Sequence, residues 1–255
     1  MEKILLSQFI AHIMADYFAQ SECISRMKQE KALSSWHLYI HVLIVFVFSL
    51  LLTPVCSFIG YAVVIALTHF MIDVLKSSLE RWLKKKKGFN DRFYVNHYLF
   101  FTDQLLHLIV LYGVVSFFWT RNQVFPSYLE LFSVNQLLIF TGFLLCMKPA
   151  NVVIRICLAS LNLYASNEKE SGNDLEKAGR WIGTIERILT LVLVMLQQYA
   201  AIGFIIAAKS ILRYNDSKTG KAEYVLIGTL LSFGIAVCIG IGIKQGIFES
   251  FLEPV

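Results

Sequence analysis

His69-Phe-Met-Ile-Asp73 sets an imidazole and a carboxylate four residues apart inside an apolar run. The same spacing recurs in His12 with Asp16, His37 with His41, and Asp103 with His107, so that five of the six histidines are used this way. Residues at i and i+4 stand one above the other on a helix face, and each pair can offer two donor atoms to one point. Ionisable groups inside apolar helices are costly and usually functional. The four pairs therefore read as one polar site, in the first instance a metal site, inside a helical membrane bundle.

Composition sets the same frame. Of the 255 residues, 56% are hydrophobic and only 16% charged, where a soluble domain carries roughly a quarter charged residues. The mean hydropathy is +0.61. The expected class is all-α: a polytopic membrane bundle of about seven transmembrane helices with one or two amphipathic surface helices. The apolar run from Ile4 is broken by His12 and Asp16 and has no small-residue cleavage site after it, so a cleaved signal is not expected. The five cysteines are scattered without CxxC spacing and read as packing residues. The net charge of +5 is concentrated around Lys76, Arg81, Lys84 to Lys87 and Arg92, which points to anionic lipid and not to nucleic acid.

A span needs about 20 mostly apolar residues, and the candidates are 3–21, 36–53, 55–75, 93–118, 131–147, 181–208 and 222–246. Thr53-Pro54 turns the chain between the second and third. The loops with Arg26, Lys28 and Lys31 and with Lys76 to Arg92 share one side, which the positive-inside rule makes cytoplasmic. All four pairs then lie at similar depth near that face. Residues 76–88 read as a basic surface helix and 150–165 as a second amphipathic helix, followed by a polar loop from Asn167; the alternative is that 150–165 crosses, which inverts the last two spans and puts Lys209, Arg213, Lys218 and Lys221 in the cytoplasm. The domain reading is a four-helix His/Asp bundle over 1–120 and a C-terminal helical half over 121–255 of the same membrane domain. His12-Ile-Met-Ala-Asp16 and His69-Phe-Met-Ile-Asp73 share His-x-Met-x-Asp, which suggests a duplicated hairpin with its two polar groups facing across the bundle.

Imidazole and carboxylate suit zinc, with manganese or iron as alternatives, and the eight groups His12, Asp16, His37, His41, His69, Asp73, Asp103 and His107 are enough for one or two ions. Asp16 and Asp103 are the candidates for a second ion or for the base in hydrolysis. Gln20 and Gln104 flank the pairs, and Lys76 reads first as an interfacial lysine that snorkels to the rim, with neutralising Asp73 or meeting a substrate anion as the alternatives. In Gly179-Arg-Trp-Ile-Gly-Thr-Ile-Glu-Arg187, Arg180 and Arg187 are candidates for holding an anionic substrate, against the alternative of a structural ion pair. Lys209 and Arg213 read as lipid-headgroup anchors, and the small residues Gly228, Ser232, Gly234, Gly240, Gly242 and Gly246 as sites of close helix contact.

Thr68-His-Phe-Met-Ile-Asp73, Asp103-Gln-Leu-Leu-His107, Gly179 to Arg187, Ala207 to Arg213 and Glu223 to Thr229 together resemble an uncharacterised family of bacterial multi-span membrane proteins carrying a domain of unknown function. The resemblance covers nearly the whole chain. It implies a bacterial inner-membrane location and brings no activity. A looser likeness, in the intramembrane His and Asp pairs only, is to membrane-bound metal-dependent hydrolases, and no catalytic role is carried over from it.

The expected function is a metal-dependent hydrolase acting near the cytoplasmic face on a phosphorylated lipid or similar anionic amphiphile, with membrane lipid as surroundings and a homo-oligomer compatible with the sequence. The main alternative is a divalent-cation or proton carrier using the same pairs. Against the carrier stands the reading that the outer halves of the first four spans carry no polar ladder. A di-iron oxidative enzyme is disfavoured by the lack of Glu-x-x-His. A membrane-anchored sensor working through its loops completes the alternatives.

Overall fold

The computed structural model describes residues 1–20, 36–86, 91–122, 126–160, 173–214 and 219–252. Among these there is no strand, and the chain divides into two compact units, Met1–Leu137 and Leu138–Val255. The loop with Arg26, Lys28 and Lys31, the basic residue Lys87 and the polar segment from Asn167 to Gly172 lie outside the described residues.

The first unit is a ring of four helices. They are α1 (Glu2–Ile13), continued by a π-helical segment Met14–Phe18; α2 (Trp36–Leu51); α3 (Ile59–Lys86), entered by a 3-10 turn Cys56–Phe58; and α4 (Asp91–Asn122). α1 packs on α2 and α4, and α3 packs on the same two, so that α1 and α3 lie on one diagonal of the bundle. Each helix buries one stripe at three- to four-residue spacing: Ile4, Gln8 and His12 on α1; Leu38, His41, Val45 and Ser49 on α2; Ala62, Ile65, His69 and Asp73 on α3; Asp103, His107, Leu111 and Val115 on α4. The stripes are polar at one end of the bundle. At the other end Phe58 and Phe118 meet edge to face at 4.9 Å, with Tyr61 5.1 Å from Phe118. Outward faces are apolar, with Leu67, Met71, Leu105 and Ile109 all exposed.

The second unit holds most of α5 (Val134–Cys146), then α6 (Lys148–Ser160), α7 (Asn173–Met195), α8 (Tyr199–Tyr214) and α9 (Thr219–Leu252). Its core joins Cys146, Leu191, Ala236 and Ile243, and a second cluster joins Val194, Ile202 and Phe233. Gly240 lets α9 approach α7, since a Cβ there would stand 2.6 Å from Val194 Cγ1. Gly246 lies close to Leu138, and Gly228 meets Leu158 only at ordinary contact distance. Gly234 and Gly242 clear no neighbour and are not close-contact positions.

The structure corrects several sequence expectations. Among the described residues three helices, Cys56–Leu83, His97–Asn122 and Leu226–Gly246, are long and apolar enough to cross a membrane, and Val134–Cys146 with Lys148–Ala159, bent by 43°, makes a fourth if taken as one span. The described residues do not confirm a count of seven. Trp36–Leu51 and Tyr199–Ile211 are apolar but shorter, and at 1.5 Å per residue a 16-residue helix such as α2 rises about 24 Å, less than the ~30 Å hydrocarbon layer. The segment 181–208 is not one helix. α7 ends in a Schellman motif, with Gln197 N–H donating to the Val194 carbonyl (3.0 Å) and Gln198 N–H to that of Leu193 (2.8 Å), and Gln197 takes φ 60 where glycine is usual. The basic stretch after Lys76 is no separate surface helix but the continuation of α3. The amphipathic segment expected at 150–165 begins at Lys148, directly after the bend. Pro149 cannot donate to the preceding turn, which accounts for the break between α5 and α6.

Candidate metal centre

Seven of the eight paired residues converge at the polar end of the ring. His12, Asp16, His41, His69, Asp73, Asp103 and His107 fall into three groups, His12 with Asp16 and His69, His41 with His69 and Asp73, and Asp73 with Asp103 and His107; within each, the ligand atoms lie within 4.8 Å of one another. The histidine rings crowd together, with centroids 4.1 Å apart for His69 and His107 and 5.7 Å for His12 and His69. The eighth residue, His37, is half-buried and belongs to none of the three groups. It lies one position off the buried stripe of Leu38 and His41.

The tightest set has three atoms. His41 Nε2 and His69 Nε2 are 3.0 Å apart, and Asp16 Oδ1 stands 3.3 Å from the first and 3.4 Å from the second. Asp73 Oδ2 is next, 3.8 and 3.7 Å from the same nitrogens. A tetrahedral ion with bonds of about 2.0–2.1 Å separates its ligand atoms by about 3.3–3.4 Å, so the triangle fits an ion of zinc's size. Asp16 Oδ1, His41 Nδ1, Asp103 Oδ1 and His107 Nε2 are buried and find no hydrogen-bond partner among the described residues. Such orphans call for an explanation, and a coordinated cation supplies one for lone pairs that point inward.

The π segment gives α1 its share of the site. Ala19 N–H donates to the Met14 carbonyl at 2.8 Å across an i+5 turn, and the widened turn carries Asp16 and Tyr17. Tyr17 donates from its hydroxyl to Gln104 Oε1 (3.0 Å), and His12 Nε2 is 3.4 Å from the same oxygen. Nothing in the spacing of charges marked Tyr17, although a polar aromatic beside Asp16 was visible in the sequence. Gln20, expected to flank the pairs, is half-buried at the end of this stretch.

Lys76 reaches across from α3 to α4 and donates to Asp103 Oδ2 at 2.7 Å, and Gln104 Nε2 donates to the same oxygen at 3.2 Å.

On the other side of the histidines lies a buried polar group that sequence reading discounted. Gln8 Nε2 donates to the Ser49 carbonyl (2.9 Å) and to Thr53 Oγ1 (2.8 Å), and Ser49 Oγ donates to Gln8 Oε1 (2.7 Å). Between it and the histidines is a cavity of about 20 Å³, lined in part by Gln8, His12, Ser49, Thr68, His69 and His107, which is room for about one water molecule. The apolar far half expected of the first four helices thus carries a polar column after all.

The arginine pair belongs to the second unit. Arg187, expected to hold a substrate anion, is 2% exposed. Its Nε donates to the Cys146 carbonyl (2.7 Å), Nη1 to Ser232 Oγ (3.1 Å), and Nη2 to Asn151 Oδ1 (2.6 Å) and Thr184 Oγ1 (3.1 Å). It ties α5, α6, α7 and α9 together and is taken up by protein acceptors. Arg180 is exposed. Lys209, read as a lipid anchor, forms an ion pair with Glu186, and the Arg213 side chain lies outside the described residues.

Residues 4–139 match a family described as "Protein of unknown function (DUF3307)". The match takes in the whole histidine and aspartate cluster and ends before Arg180, so it is shorter than the near-complete resemblance expected from the sequence. No curated protein and no solved structure matches the chain.

Proposed function

The chain belongs to the DUF3307 family, and from that premise we propose that it is an integral membrane, metal-dependent hydrolase acting on a phosphorylated lipid or similar anionic amphiphile. The observation that carries this reading is the triangle of His41 Nε2, His69 Nε2 and Asp16 Oδ1. Those three atoms would hold a divalent ion, zinc before manganese or iron, with Asp73 beside them as the next ligand. Bound there, it would supply Lewis-acid chemistry to a phosphate ester and to water. With Asp16 and Asp73 at the ion, Asp103 is the carboxylate left for proton transfer. The lipid would approach from the cytoplasmic side of a bacterial inner membrane, the side that the positive-inside rule assigns to Lys76 and Arg81.

The test is elemental analysis of detergent-purified protein together with hydrolysis of phosphorylated lipids in mixed micelles. Stoichiometric metal that is lost in His69→Ala, and turnover that is lost with it, support the reading. Protein without metal in the wild type ends it.

A second reading has a specific observation behind it. The polar column of Gln8, Ser49 and Thr53, with the small cavity between it and the histidines, suits a carrier of a proton or divalent cation, in which the cluster is a transit site. Metal that exchanges within seconds, and flux in proteoliposomes without lipid hydrolysis, would favour it.

A further inference from the structure

We propose that Gln104 is a positioning residue that fixes the imidazole hydrogen of His12 on Nε2 and so keeps His12 out of the metal's ligand set. The inference rests on the metal-centre reading above and narrows it: α1, α2 and α3 supply the ligands, and α4 orients what surrounds them.

Asp103 decides which way the Gln104 amide points. Its Oδ2 accepts from the Lys76 ammonium at 2.7 Å, as a carboxylate oxygen with no hydrogen of its own to give. Gln104 meets the same oxygen at 3.2 Å, and only the NH2 end of the amide can do so, because the carbonyl end would set two acceptors against each other. Gln104 Oε1 is thereby turned toward α1. Tyr17 donates to it at 3.0 Å, and His12 Nε2 stands 3.4 Å from it. An amide oxygen only accepts, and its two lone pairs match these two partners. His12 Nε2 therefore carries a hydrogen, and the lone pair of the neutral ring is left on Nδ1.

Nε2 is also the nitrogen that His12 turns toward Asp16, at 3.9 Å from Oδ2. His41 Nε2 and His69 Nε2 approach Asp16 Oδ1 at 3.3 and 3.4 Å, close to the spacing of ligand atoms on a tetrahedral ion. The His12 approach is longer, and the nitrogen that makes it holds a hydrogen where a ligand needs a lone pair. His12 belongs to a candidate ligand group with Asp16 and His69 by proximity, yet its near nitrogen has no electron pair to offer.

The backbone of α1 serves the same arrangement. The π turn Met14–Phe18 carries both Asp16 and Tyr17, and such turns are frequent at functional sites. Asp16 joins the triangle of His41 and His69, while the next residue, Tyr17, engages Gln104. His12 is 6% exposed and stacks on His107 with ring centroids 5.2 Å apart. Packing holds the ring in place, and Gln104 settles which nitrogen bears the hydrogen.

The experiment combines ¹⁵N NMR of the histidine-labelled full chain in detergent with equilibrium binding of Zn²⁺ alone. In metal-free wild type the His12 ring, assigned by its loss in His12→Gln, is expected to show the hydrogen on Nε2. Gln104→Leu removes the acceptor and should turn that signal into a mixture of the two tautomers, whereas Gln104→Glu keeps an acceptor and keeps the hydrogen on Nε2. Gln104→Met serves as a second variant without an acceptor should Leu disturb folding. His12→Gln is expected to saturate at the same zinc-to-protein ratio as wild type, with an affinity lower by no more than the roughly 10–100-fold typical of residues that only orient ligands. A wild-type His12 with its hydrogen on Nδ1 overturns the inference, as does an unchanged tautomer in both variants without an acceptor. Loss of the bound zinc in His12→Gln overturns it also, because His12 is then a ligand, and all three results leave the metal reading standing. No zinc in any protein overturns the metal reading and this inference with it.

Discussion

His41 Nε2 and His69 Nε2 stand 3.0 Å apart, from adjacent helices, with both rings nearly fully buried. Only one hydrogen fits between two such nitrogens, so at least one lone pair faces its neighbour. A carboxylate oxygen at 3.3 and 3.4 Å completes the set. Two Lewis-basic nitrogens and an anion at these separations repel one another unless protons or a cation sit among them.

Replacing His69 by Ala or His41 by Ala is expected to abolish stoichiometric metal, whereas His37→Ala keeps it. By spacing His37 and His41 have equal standing, and only His41 belongs to one of the candidate ligand groups. Metal analysis of the three variants after identical purification checks this. A ligand variant should lose more than the roughly 10–100-fold in affinity typical of an outer-shell change. Equal loss in all three would remove the distinction.

Chelation is expected to lower the thermal midpoint of the wild type and to leave His69→Ala unmoved. An ion present at a hundredfold excess over its Kd stabilises the folded state by about 2.7 kcal/mol, which for a chain of this size is a shift of roughly 5–10 °C. Differential scanning fluorimetry in detergent, with EDTA and with zinc restored, reads it directly. An EDTA-insensitive wild type counts against a resident ion.

What the sequence made legible was the radial order of the first unit. His69 and Asp73, and Asp103 and His107, obey helix spacing, and helix spacing alone brings each of these pairs onto one buried stripe, whereas Asp16 joins His12 through the π turn. What lay beyond it depends on contacts between helices. Lys76 reaches Asp103 across α3 and α4, a partner no spacing rule names. The π turn at Met14–Phe18 shifts register without any glycine or proline to announce it. Gln197 ends α7 in a left-handed conformation that glycine usually takes, so 181–208 read as one unbroken span. Gln8, Ser49 and Thr53 have no common spacing that marks them, and only the packing of α1 on α2 lets them satisfy one another.

Arg187→Leu is expected to destabilise the protein by on the order of 3 kcal/mol while leaving metal content unchanged. The variant leaves the Cys146 carbonyl, Asn151, Thr184 and Ser232 without their buried donor, and each unsatisfied group costs about 1–3 kcal/mol. Thermal unfolding and metal analysis on the same sample separate this role from substrate binding. A fully stable variant with impaired lipid turnover would restore the substrate role.

Two backbone positions in the second unit are expected to respond in opposite directions. Gln197→Gly relieves a left-handed conformation and should stabilise by about 0.5–1 kcal/mol. Gly240→Ala forces a methyl against Val194 and should cost about 1–3 kcal/mol. Midpoints of thermal unfolding in one detergent rank the two against wild type. The reverse order would mean that the close approach of α7 and α9 is not rigid.

Gln8→Leu separates the two functional readings. Gln8 is 1% exposed and its amide is fully engaged with Ser49 and Thr53. Removing it strands the Ser49 hydroxyl and carbonyl, while Thr53 Oγ1 still donates to the Leu52 carbonyl, at about 1–3 kcal/mol for each buried group left unpaired, and closes the polar column with an apolar side chain. None of the three candidate ligand groups contains Gln8, so metal content is expected to stay at the wild-type value. A hydrolase reached from the histidine end keeps its turnover in this variant once the stability loss is matched by lower temperature. A carrier that needs the column as its exit loses flux with its metal still bound. Lipid hydrolysis and proteoliposome flux, measured on the same preparation of Gln8→Leu, therefore give opposite answers under the two readings. We expect hydrolysis to persist.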